Sequence, residues 1–152
     1  MKKIFTLILS SLILTCSLQA QSADRVTDVI NSERVTFGQA CYFFATATGK
    51  VEDNIAYDDS IKFFQDSGSL RVLADENDPI TLGTIAQLAS DAFEVKGSLF
   101  LALFGNSRYA YRQMKADGVF KNNDDPSFVP DGHKFLAILT DCLEFYKVRE
   151  SE

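Results

Sequence analysis

The feature that most constrains this chain is a helix opening that recurs along it. Val35-Thr36-Phe37-Gly38, Ile80-Thr81-Leu82-Gly83 and Val129-Pro130-Asp131-Gly132 each precede a run of aliphatic and small residues. They lie about 45 to 50 residues apart, a spacing that marks repeat architectures. The stretches from Gly49 to Glu94 and from Gly97 to Phe145 share one plan: a helical segment closed by glycine, a polar loop, then a second helix. No unit of this length buries its own apolar face, so the units must pack on one another. The expected fold is all-α, three helix–loop–helix pseudo-repeats around one core.

The long segments are the clearest. Thr36 and Gln39 form a capping box. Behind it Phe37, Ala40, Cys41, Phe44, Ala45 and Thr48 fall on one helical face. Thr81 caps the next, with Leu82, Ile85, Leu88, Ala89, Ala92 and Phe93 on its apolar face. The closing helix runs from Asp131 to Tyr146 and carries Phe135, Leu136, Ile138, Leu139, Cys142, Leu143 and Tyr146.

The shorter segments read less cleanly. Asp58 and Asp59 open one that ends at Gly68 and buries Ile61 and Phe64. Asn106 to Asp117 places Tyr109, Ala110, Gln113 and Met114 near one another and Arg108, Arg112 and Lys115 toward water. Ser22 to Ser32 makes a short amphipathic helix with Val26, Val29 and Ile30. Pro79 stops any helix entering from the loop before it.

The amino terminus sets the destination. Lys2 and Lys3 precede an apolar run from Ile4 to Leu14, too short to span a bilayer, and a segment of small residues. This is a signal-peptide pattern over residues 1–20, with cleavage after Ala20. The alternative is lipoprotein processing with lipidation of Cys16, which would anchor the chain to a membrane. Residues 21–147 then form one domain and 148–152 a charged tail. The formal net charge of −6 becomes −8 without Lys2 and Lys3. An acidic chain with no basic run is a poor partner for nucleic acid or an anionic lipid surface. The expected location is the periplasm or cell envelope. There a disulfide between Cys41 and Cys142 is allowed; the alternative is two buried thiols acting as small hydrophobes.

The order of elements, with apolar-Thr openings on long helices and glycines closing short ones, resembles the S-layer homology repeat. The resemblance covers about residues 24 to 147. It implies a compact trefoil-type helical domain and docking on a cell-wall polymer. The openings here read Thr36-Phe37-Gly38-Gln39, Thr81-Leu82-Gly83-Thr84 and Pro130-Asp131-Gly132-His133 in place of a Thr-Arg-Ala-Glu-type motif, and the chain has no Trp. No ligand residue is carried over.

Reactive constellations are sparse. His133 is the only histidine and lies at a helix start, and no nucleophile motif or metal-ligand spacing accompanies it. The acidic loops Asp75-Glu76-Asn77-Asp78 and Asn122-Asn123-Asp124-Asp125 are rich in oxygen ligands but lack the EF-hand spacing; helix-capping turns explain them. The most apolar stretch is Leu99, Phe100, Leu101, Ala102, Leu103 and Phe104, which reads as a buried turn or, with Tyr109, as an interaction patch. The chain is therefore expected to be an exported, non-catalytic envelope binding module without cofactor or metal. Its partner would be a cell-wall polymer or an envelope protein. The alternative is a small structural subunit or assembly factor of a periplasmic or outer-membrane complex.

Overall fold

Each long helix begins where a side-chain oxygen can close its first turn. Helix α2 (Phe37–Ala47) follows Thr36, whose hydroxyl accepts from the Gln39 amide while the Gln39 side chain accepts from the Thr36 amide. Helix α4 (Leu82–Ala92) follows Thr81, which accepts from the Thr84 amide. Helix α6 (Gly132–Cys142) follows Asp131, which accepts from the Lys134 amide. Each cap satisfies a donor that the first turn otherwise leaves unpaired. The computed structural model describes residues 23–95 and 106–147.

Three shorter elements accompany these. Helix α1 covers residues 23–30. Helices α3 (Tyr57–Asp66) and α5 (Ser107–Ala116) have equal lengths. They end before Gly68 and Gly118, whose φ values of +77° and +90° are the left-handed closures that glycine adopts without a Cβ penalty. Helix α2 packs on α3, and α4 packs on α5. The fold is thus all-α. Among the described residues the only β-type pairing is an isolated bridge between Thr36 and Pro79.

The entrances of the long helices are tied together through the backbone. Val35 donates its amide to the Pro130 carbonyl at 2.9 Å, and Ile80 donates to the Val35 carbonyl at 3.0 Å. All three residues are fully buried. Pro130 has no N–H with which to donate in turn. Two residues further on, Phe37 donates to Asp78, Leu82 to Phe128 and Gly132 to Ser32. The start of each long helix therefore grips the loop that leads into another.

This bonding corrects one sequence alignment. Pro130, not Val129, stands where Val35 and Ile80 stand, and Asp131 where Thr36 and Thr81 stand, because the cap and the buried carbonyl set the register. Gly132 is thus the first residue of its helix, whereas Gly38 and Gly83 are second in theirs.

The core gathers around Phe44. Its ring meets Phe135 of α6 edge-on at 5.6 Å and Phe93, just after α4, at 6.3 Å. On α5 the buried face is Ala110, Tyr111 and Met114, so Tyr111 replaces Tyr109 as the main aromatic anchor. Tyr109 is half-buried and packs at the edge of the core. The closing helix does not stay regular to Tyr146: Leu143–Lys147 form a π turn. Helix α3 begins at Tyr57, one residue before Asp58, without a side-chain cap.

Candidate functional site

A groove of about 710 Å³ opens between the start of α4 and the length of α5. Its floor is Thr81, Gly83 and Thr84. Ser107, Arg108, Tyr111, Arg112 and Lys115 form one wall, and Pro126 and Ser127 the rim. A helical period places Arg108, Arg112 and Lys115 on one stripe of α5, because residues three and four apart share a face.

The electrostatics of this stripe stand out against an acidic chain. Helix α5 contains no Asp or Glu. Arg108 and Arg112 are exposed, and neither guanidinium has an ion-pair or hydrogen-bond partner among the described residues. Lys115 donates to the Asn122 carbonyl at 2.8 Å and keeps its charge in place beside Tyr111. Like charges four apart on a helix destabilise it by about 0.2–0.5 kcal/mol.

Tyr111 fixes the wall. Its ring stacks on Phe120 at 4.8 Å and its hydroxyl donates to the Asp124 carbonyl at 2.7 Å. Burial, then the nearby Asp124 and Asp125 carboxylates, push the phenol above its ordinary value, so it stays neutral.

The positions corresponding to this groove on α2 and α3 are closed. A Cβ built on Gly38 would lie 2.8 Å from the Tyr57 Cβ, so the start of α3 abuts the start of α2. At Gly83 the three nearest atoms all belong to Pro126, the closest at 3.2 Å. Over the first pair lies α1. Asp28 accepts from Gln39 Nε2 at 2.9 Å and from the Tyr57 hydroxyl at 3.0 Å. The Arg25 guanidinium covers the Tyr57 ring at 3.9 Å. Sequence reasoning saw the three α5 cations only as a wet face, since nothing in one helix tells which neighbour stands away from it.

The other expected sites fall out differently. His133 is exposed in the first turn of α6, apart from any cluster. The acidic loops are turns: Asp75 accepts from the Asn77 amide and Asp125 from the Ser127 amide, both through Oδ1. Among the described residues no group of three or more His, Cys, Asp or Glu side chains is placed to hold a metal ion. The disulfide is not formed. Cys41 and Cys142 are free, fully buried thiols, each pushed up to about 12 by burial, with Asp141 adding to the effect at Cys142. The apolar packing that excludes water from each sulfur also disfavours the thiolate that disulfide exchange needs.

Residues 1–20, Cys16, and the patch formed by Leu99, Phe100, Leu101, Leu103 and Phe104 lie outside the described residues. Among the described residues no helix is long and apolar enough to cross a membrane. No protein-family model, no curated protein and no solved structure matches the chain.

Proposed function

We propose that this protein is an exported, non-catalytic binding module of the cell envelope, docking on a cell-wall polymer or an envelope protein. The observation that carries this is the α4–α5 groove, with Arg108 and Arg112 on its wall and unpaired among the described residues. In a chain of net charge −6, an unneutralised cationic stripe is suited to an anionic ligand. The resemblance to S-layer homology repeats supports the same reading through fold. Here the cations come from the short helix α5, not from the opening of a long one.

Sedimentation with purified cell-wall sacculi, before and after removal of wall proteins, tests it. Binding that survives removal of the proteins assigns a polymer ligand. Binding lost with them, together with a defined cross-linked partner, assigns an envelope protein. Failure in both assays overturns the reading. The alternative, a small subunit of an envelope complex, draws on a different observation: Val72 and Leu73 project from the loop after α3, with Leu73 95% exposed.

A further inference from the structure

We infer that the occupant of the α4–α5 groove is an acidic helical segment of a partner protein, with carboxylates four residues apart. This rests on the binding-module reading above and names its partner.

The chain already contains a filled groove of related construction. Gln39 and Thr84 are each the third residue of a long helix, and Tyr57 and Ser107 each the first of a short one. On the α2–α3 side, Gln39 and Tyr57 together hold a carboxylate, that of Asp28, at 2.9 and 3.0 Å. That carboxylate arrives on a short helix, α1, in which Asp24 and Asp28 stand four residues apart. The α2–α3 side thus shows one ligand that lies over such helix starts: a helix presenting an acid to the polar pair.

The open groove keeps a polar pair, now the Thr84 and Ser107 hydroxyls, and alters the charge beside it. Where α3 has Asp58 and Lys62, bonded to each other at 2.6 Å, α5 has Arg108 and Arg112. The α3 pair satisfies itself; the α5 pair leaves two guanidinium forks without a partner among the described residues. A guanidinium takes a carboxylate through two parallel hydrogen bonds. Two forks four residues apart match two carboxylates at the same helical spacing. Pro126, which is exposed, supplies apolar surface for the ligand helix.

Fluorescence anisotropy with the exported protein tests this. The probe is a labelled alanine-rich helical peptide with Glu at every fourth position, compared with its Gln counterpart. The Glu peptide is expected to bind at low salt and the Gln peptide not to. The Arg108→Gln/Arg112→Gln protein should lose about tenfold or more in affinity. Arg34→Gln, an exposed cation elsewhere, should lose none. A second variant, Arg108→Glu/Arg112→Glu, should recover binding with a Lys peptide of the same spacing. Equal binding of the Glu peptide to wild type and double Gln variant overturns the proposal, as does absence of Glu-peptide binding.

If the peptide fails while sacculi binding depends on Arg108 and Arg112, the occupant is a wall polymer; the segment proposal falls and the module reading stands. Dimerisation lost in the double Gln variant assigns the groove to a second copy and overturns the proposal likewise. Peptide binding without any envelope binding overturns the envelope reading and leaves the groove chemistry standing.

Discussion

The amide of Val35 donates to the carbonyl of Pro130, 2.9 Å away, and so joins the entrance of α2 to the entrance of α6 across most of the chain. Two residues beyond Pro130, Gly132 repeats the junction by donating to Ser32 at 2.9 Å. The contact is so close that a Cβ on Gly132 would fall 1.6 Å from the Val29 carbonyl oxygen. The oxygen belongs to the backbone and the backbone fixes the Cβ, so neither can rotate away. Gly132→Ala is expected to destabilise the fold by about 3 kcal/mol or more. Gly118→Ala meets nothing within 4 Å but must hold a φ of +90°, which costs about 1–2 kcal/mol. Urea unfolding of the two variants beside wild type checks both the order and the sizes.

Phe44 ties α2 to both α6 and the end of α4 through one ring. Phe44→Ala removes the edge contacts with Phe135 and Phe93 and leaves a cavity where the long helices meet. The expected loss is about 3–5 kcal/mol. Phe63→Ala, on a half-buried ring at the edge of the core, should cost less than half as much. Thermal unfolding followed by circular dichroism distinguishes them.

Gln39 is buried and every polar atom of its side chain is used: Oε1 by the Thr36 amide, Nε2 by Asp28 and Ser32. Gln39→Leu keeps the volume but strips a cap and two anchors of α1. A loss of about 2–3 kcal/mol follows from the abandoned partners. Amide exchange should accelerate first in residues 23–30.

Acid should loosen the α5–α6 junction in a defined window. Burial works to raise the Asp124 carboxyl, but the Lys134 hydrogen bond, the Lys121 amide and the two lysine charges outweigh it and hold the group below its ordinary value of 3.8. A carboxyl depressed in the folded state contributes stability above its unfolded value and loses it as pH falls through the folded one. The contribution is therefore present at neutral pH and is lost as pH falls below 3.8 through the folded-state value. Asp124→Asn should flatten this acid limb in a pH series of unfolding midpoints.

The two thiols make the opposite prediction. Both are pushed from an ordinary 9.0 up to about 12 by burial. A raised folded-state value contributes stability that is whole below pH 9.0 and is lost as pH rises toward 12. Neither thiol should react with a maleimide in the native protein near neutral pH, and both should react on unfolding. Modification of either one without denaturant contradicts the buried, unbridged arrangement.

The helices themselves were legible in the chain. Thr36 with Gln39, Thr81, and the apolar stripes of α2, α4 and α6 are local signals: capping and periodicity need only neighbours within a turn or two. Gly68 and Gly118 were legible for the same reason, since a left-handed closure is a property of one residue. The one-residue slip at Val129-Pro130-Asp131-Gly132 shows the limit. Matching glycines suggested one register, while the cap on Asp131 and the buried Pro130 carbonyl impose another. Tyr109 and Tyr111 failed similarly: both flank Ala110, and which of the two turns inward depends on where the neighbouring elements meet α5.

By itself, then, the sequence determined the element types, the capped starts of α2 and α4, the glycine closures and the apolar faces of the long helices, because those follow from bonds and side chains close together along the chain. The tertiary structure decided what each surface became. Asp58 and Lys62 close on each other while Arg108 and Arg112, at the corresponding places, meet no partner among the described residues. Both Gly38 and Gly83 meet the backbone of a loop, at Glu76 and Pro126, but only Gly38 also has the start of a short helix, Tyr57 of α3, against it. That difference depends on how far one helix stands from another, a distance set by packing among residues remote in the chain.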